Sequence, residues 1–552
     1  MTYKPAFLLL TTIAIIASGC ASKDPNQAFA SHETELTHLG NHHFKVTTTS
    51  AKAQRAFDRG LTLAYSFGYY AAEQEFRRVA EADPQCAMAY WGIALANGPH
   101  INFPMVPPDH AAKAWEALTI AKTLAKGVSP LEKALIDALS HRYANPQPED
   151  RSSLDQDYAY AMREVWKIYS ESADVGTLFA ESLMDLHPWD LWVNGTPQPW
   201  TPEIVGTLEQ ALKLNPKHPG ANHYYIHAVE ASPSPGRAVI AADKLVNLVP
   251  DSGHMVHMPS HIYARVGRWP DAAECNREAI RVDATYRAIY PRPGFYAMYM
   301  MHNAHFLSFS AMMLGRQEEA IRSSREMVES VPQDFLSNYT AVADGFMVLV
   351  PEVLMRFGRW QEILDEPEPR ADLYLARALW RFTRASALTA LGQTEQARKE
   401  QVAFEQAVAQ VPKDRTMGNN SVTNILTIAA EILAGEMAAQ AGDYDQAIQR
   451  LRNAVKVEDQ LVYDEPPGWI QPTRHTLGAV LLKAGNATEA EVTYREELTR
   501  NPENGWSLMG LRDALQRQGK KDEAESVNRR YKKAWAYADV TPPSTCYCQK
   551  LD

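Results

Sequence analysis

The stretch Gly478-Ala479-Val480-Leu481-Leu482-Lys483-Ala484-Gly485-Asn486-Ala487-Thr488-Glu489-Ala490-Glu491-Val492-Thr493-Tyr494, running on to Asn501-Pro502, decides the fold. Glycine ends a first helix, a capping or acidic residue opens a second, alanine lets the two approach closely, and proline closes the unit. The same order stands near the start of the chain. There Gly60, Tyr69, Ala72, Phe76 and Pro84 are separated by 9, 3, 4 and 8 residues. Shorter echoes are Gly267-Arg268-Trp269-Pro270-Asp271-Ala272, Gly315 to Ala320, Gly392 with Ala397, Gly442 to Ala447, and Gly519 with Ala524. A helix pair of this kind cannot bury its apolar face alone, so neighbours must stack. No Asn-Gly or Asp-Gly turn joins two alternating β-branched runs, and Asn194-Gly195, in a Trp/Pro-rich stretch, reads as a loop. The expected class is all-α.

These residues resemble the tetratricopeptide repeat, and about eight units are recognisable between Ala51 and Trp535. The resemblance implies a right-handed superhelical solenoid of stacked helix pairs with a concave groove, which in that family generally binds peptides. The chain divides into repeats at 51–220, a His-rich repeat segment with an aromatic insertion at 221–335, repeats at 336–540, and a Cys-containing tail at 541–552. Two interruptions are rich in aromatic residues: His187 to Trp200, and Tyr286 to Met301.

At 552 residues, with 45% hydrophobic and 22% charged, the chain exceeds the roughly 250–300 residues at which a single core stops growing. That excludes a disordered polymer and fits a stack of repeats. The net charge of −11, without a basic tract, argues against nucleic acid as the main partner. Residues 1–19 read as a secretory leader: Lys4, an apolar run from Ala6 to Ala17, then small residues. The run is short of the ~20 residues of a spanning helix, and no later window is an uninterrupted apolar run of that length. Ala17-Ser18-Gly19-Cys20 resembles the bacterial lipobox, which implies lipidation of Cys20 and attachment to a membrane. By the same resemblance Ala21 points to the outer membrane of the cell envelope, facing the periplasm or the cell surface. Residues 20–50, with His32, His38, His42 and His43, read as a tether. Of Cys86, Cys275, Cys546 and Cys548, a bridge from the C-terminal pair back to Cys86 or Cys275 is the expected pairing; metal binding by the C-terminal pair is the alternative.

Seven of the 17 histidines fall between His223 and His305: His223, His227, His254, His257, His261, His302 and His305. The pairs His223/His227 and His257/His261 are each four apart, and the second follows the first by 34 residues, one repeat. His257, His305 and His475 each stand ten residues before a hinge glycine (Gly267, Gly315 and Gly485), and His254 and His302 stand thirteen before the first two of these. Different units thus place imidazoles at matched positions of their first helix, and His254, His257 and His261 share a face. In the resembled family those positions line the groove. Histidines four apart can reach one ion, and two such pairs on adjacent helices can close a site of three or four ligands. Glu230, seven after His223, is the candidate catalytic carboxylate: a ligand, an orienter, or a general base on metal-bound water. Nearby Met255, Met258, Met298, Met300 and Met301 favour copper, whereas imidazole with carboxylate suits zinc or iron. His100, His110, His141 and His218 read as ordinary hydrogen-bonding residues, and Asp185 and Asp190 as structural.

There is no His-Glu-x-x-His, nucleophile elbow, phosphate loop or dinucleotide fingerprint. Trp189, Trp192, Trp200, Tyr290, Phe295 and Tyr299 are candidates for an aromatic wall. The expectation is a lipid-anchored solenoid holding a transition metal (copper, zinc or iron), with enzymatic activity left open: oxidative with copper or iron, hydrolytic with zinc. The alternative is a metal-free scaffold whose histidines and Arg265 grip a protein or peptide partner.

Overall fold

In the hairpin built from Thr473–Lys483 and Ala487–Arg500, the glycine works as the pattern requires. Gly485 has φ +82°. Its N–H reaches the Leu482 carbonyl at 3.2 Å while that of Asn486 reaches Leu481 at 2.8 Å, which satisfies the last carbonyls of the first helix. The Tyr494 ring then packs against Gly478 of its own hairpin and Gly510 of the next. Phe76 sits the same way between Gly60 and Gly92. A Cβ at any of these glycines would overlap the ring, so the glycine–aromatic–glycine sandwich sets how closely successive hairpins stack.

The computed structural model describes residues 36–549; the leader and Cys20 lie outside them. The described residues are helical hairpins from Ala51–Tyr65 to Lys521–Ala534. Strand is confined among them to two antiparallel pairs of two-residue segments, Trp192–Val193 with Thr196–Pro197 and Thr416–Met417 with Asn420–Ser421. The loop expected at Asn194-Gly195 is therefore a tight hairpin turn, both residues having positive φ (51° and 77°). The helix Val422–Gln440 has the length and composition to cross a membrane, but 61% of it is buried among its neighbours.

Part of the expected tether is seated on the repeats. Leu39, Phe44 and Val46 are buried. Asp251 accepts the N–H groups of Thr37 and His38 at 2.8 and 2.7 Å, and Glu132 accepts that of Thr47 at 2.6 Å. The segment is extended and carries no helical periodicity, which is why its apolar residues did not register as a packing face.

The superhelix turns back on itself. Trp269 donates from its indole to the Pro502 carbonyl at 2.8 Å, and Trp506 to Met312 at 2.7 Å. Asp539 accepts from the N–H groups of Gln317 and Glu318, 2.6 and 3.1 Å, at the start of the helix Gln317–Ser330. Beyond it the tail lies on the inner face of the later repeats, where Thr545 donates to the His475 carbonyl at 2.7 Å. Cys546 bonds to Cys548, not to Cys86 or Cys275, which are buried thiols. The tail folds into a tight turn that brings its two sulfurs together.

Candidate metal centre

The helix Pro219–Val229 carries His223 and His227, and Glu230 follows at its end. Gly253–His257 carries His254 and His257, and Pro259–Arg265, opened by a proline that removes one backbone donor, carries His261. Ala297–Met313 carries His302 and His305. Stacking these hairpins collects six imidazoles into two triads, His223/His227/His254 and His257/His261/His302, each with its ligand atoms within 4.8 Å of one another.

Which ring nitrogens hold protons follows from their partners. His223 Nδ1 lies 2.7 Å from the Tyr65 carbonyl, which only accepts, so Nδ1 carries the hydrogen. Glu230 accepts from His227 Nδ1 at 2.8 Å with one oxygen and from His261 Nδ1 with the other. Asn276 spends its amide N–H on the Ala272 carbonyl, so its oxygen accepts from His257 Nδ1 at 2.6 Å. In their neutral forms these four rings turn bare Nε2 lone pairs inward. Two of them, on His257 and His261, face each other at 2.8 Å. His302 Nε2 is 3.4 Å from His261 Nε2, and His254 Nε2 is 3.1 Å from His223 Nε2. His227 Nε2 is buried without a partner. Lone pairs that meet in a dry interior repel unless a cation or proton lies between them. Three nitrogens each about 2.0–2.1 Å from one ion would sit about 3.4 Å apart, close to the spacings seen.

Electrostatics keeps the rings available. Burial pushes His223, His254, His257 and His302 well below the ordinary histidine range. Burial alone would raise Glu230, but the neighbouring His261 and the hydrogen bonds from His227 and His261 outweigh it and bring its carboxyl to about 2. Burial would lower His261 too, yet the Glu230 charge holds it above its usual value.

Two of the expected ligands lie outside the triads. His305 falls a turn beyond His302 and meets Phe346, ring centroids 5.2 Å apart; burial lowers its pKa to about 4. His475 belongs to a repeat whose inner face is filled by the tail, and its Nε2 pairs with Ser507 Oγ at 2.8 Å. Glu230 has both oxygens held by imidazole N–H groups, one from His227 and one from His261. Arg265 is committed as well, donating to the Glu230 and Ser232 carbonyls at 3.1 and 3.3 Å. His218 is a hydrogen-bonding residue: its Nδ1 accepts from Ala221 N–H, so its Nε2–H donates to Asp174 at 3.1 Å. Asp185 pairs with Arg142 and is structural.

Of the aromatic residues, Trp189 and Trp192 line a narrow cleft with Ile101, Met184 and Tyr463 that reaches His227. Tyr299 packs on His254 at 4.4 Å, Trp200 stacks on His187, Tyr290 meets Tyr286, and Phe295 meets Phe103. The sequence reading missed Phe67, a buried residue in the left-handed region (φ 55°) whose ring lies 4.7 Å from His223 and stacks on His100. It also missed Tyr463 and Glu465, whose loop closes over Glu230; Tyr463 donates to Glu465 at 2.6 Å.

Imidazoles one repeat apart converge because the hairpins that carry them stack side by side. The chain is an all-α solenoid of stacked helical hairpins that resemble tetratricopeptide repeats. No family model matches it. It is 32% identical over 161 residues to cellulose synthase operon protein C of Xanthomonas axonopodis pv. citri (strain 306), a match covering 28% of this chain. The chain spans about a tenth of that relative's length (10%). Solved helical-repeat structures are similar at low identity. Human IFIT1, a dimer with m7Gppp-AAAA, is 11% identical with TM-score 0.34, covering 85% of this chain and 94% of its own. Yeast Tom70 is 12% identical with TM-score 0.27, covering 87% and 90%.

Proposed function

We propose that this tetratricopeptide-repeat solenoid binds a transition metal in its buried histidine centre and uses the leader's Cys20 to hold that centre at a membrane of the cell envelope. The observation that carries the metal is the His257–His261 pair, whose Nε2 atoms meet at 2.8 Å while both Nδ1 protons are committed to Asn276 and Glu230. Neutral imidazoles with fixed outer hydrogen bonds are the donor set of copper, zinc and iron sites. The cleft beside His227 gives a small molecule a route to the centre, so metal-dependent chemistry belongs to this reading. The site offers imidazoles and a carboxylate, which suit a cation better than a polyanion. The groove of the later repeats is filled by the chain's own tail, which leaves a peptide partner less room there.

Elemental analysis of the purified full chain tests the metal. Copper, zinc or iron should be retained through gel filtration, and its content should fall in the His257→Ala/His261→Ala variant while its circular dichroism stays helical. Wild-type protein that takes up none of the three leaves only the scaffold reading. For the anchor, Cys20→Ser should move the protein from the membrane fraction to the soluble one, and a variant that stays with the membranes refutes lipidation at that residue.

A further inference from the structure

The six histidines divide three and three, and the division has chemical consequences. Resting on the metal-binding reading, we infer that each triad holds its own copper ion and that the pair binds dioxygen between them. The triads are neighbours: His227 and His261 have ring centroids 6.0 Å apart, and His254 and His257 6.1 Å. Glu230 couples them, with one oxygen on Nδ1 of His227 in the first triad and the other on Nδ1 of His261 in the second. While it does so it ligates neither ion, so each ion has three neutral nitrogen donors and an open position, the arrangement in which a metal takes a further ligand.

Charge selects the ion. The carboxylates that close on the centre are Glu230 and Glu465, joined through Tyr463, which reaches Glu230 at 3.4 Å and Glu465 at 2.6 Å. Two cuprous ions bring half the charge of two zinc ions into this buried site, and so a smaller desolvation cost. Imidazole donors suit copper, which also stands at the top of the divalent affinity order. Dioxygen fits the remaining requirements. It is small and apolar enough for the cleft lined by Ile101, Met184 and Trp189 that reaches His227. In the step, each copper(I) gives one electron and becomes copper(II), and dioxygen takes both to become a bridging peroxide dianion. The O–O bond falls from double to single and one copper–oxygen bond forms at each ion. No proton moves. The two new positive charges on the copper ions are balanced by the two negative charges of the peroxide.

The full chain is loaded anaerobically with copper(I), desalted, analysed for copper, and exposed to air-saturated buffer. Two coppers per chain are expected, one per triad. Uptake of one dioxygen for every two coppers should follow, with the resulting copper(II) largely silent in paramagnetic resonance because the two spins couple. The His223→Ala/His254→Ala and His257→Ala/His302→Ala variants should each keep one copper, show a full copper(II) signal after chemical oxidation, and take up no dioxygen in that ratio. One copper per wild-type chain overturns the pairing while the metal-binding reading survives; no copper, zinc or iron overturns that reading itself. Two coppers with a full-strength signal after oxidation, or without oxygen uptake, overturn the coupled pair. The wild-type copper and spin counts decide the matter even if a variant fails to fold.

Discussion

An imidazole whose Nδ1 proton is held offers its neighbours only a lone pair at Nε2, and Glu230 imposes that state on two rings at once. Glu230→Gln puts an amide in its place with one acceptor instead of two. One of His227 and His261 must then lose its acceptor, or turn its Nε2 into a donor that no longer ligates. Copper affinity, measured by competition with a chelator, should fall about 10- to 100-fold with helix content unchanged. Unchanged affinity would show that Glu230 does not orient the rings. The clustering of the histidines was legible in the sequence because four-residue and 34-residue spacings are properties of one helix and one repeat. His305 satisfies the same ten-before-glycine register, yet its ring falls against Phe346 outside the two triads, since register fixes a helix position but not the neighbour that fills the space.

At the scale of the helix pair, an aromatic ring between two glycines joins successive hairpins around Phe76 and around Tyr494. Tyr494 also reaches Thr545 Oγ1 at 2.8 Å, so its ring cannot retreat without breaking a contact to the tail. Gly510→Ala would place a methyl group where the ring lies and spread the two hairpins. The expected loss is about 1–3 kcal/mol, read as a lower midpoint in denaturant unfolding with the slope unchanged. An unaltered midpoint would mean that the ring has room the packing does not show. Helix hairpins were readable because hinge glycine, cap and small residue are all local. The short strands and the seated segment 37–50 were not, since neither has helical periodicity and the second is fixed by Asp251 and Glu132, far along the chain.

Over the whole molecule, the superhelix closes on itself, and the loop of Tyr463 and Glu465 closes over Glu230 at the histidine cluster. Tyr463 lies 233 positions from Glu230, and no local pattern could pair them. Nor could the sequence show that the inner face around His475 is occupied by the tail. The tail's hold centres on Arg356, a buried guanidinium stacked 3.5 Å from the Trp506 ring that donates to the Thr545 carbonyl at 3.3 Å. Burial drives its pKa well below the ordinary arginine value, so little else compensates its charge. Ending the chain after Asp539 removes that carbonyl and uncovers Trp506. The melting temperature should drop by on the order of 5 °C, and protease cuts should appear among the repeats after Thr473. The drop should shrink when Arg356→Met is combined with the truncation, because an apolar side chain no longer needs the lost acceptor. Metal content should not change, since the triads lie on earlier hairpins that keep their own contacts. A truncated chain that melts as the full one does would show that the tail merely rests on the groove, and the groove would then be open to a partner after all.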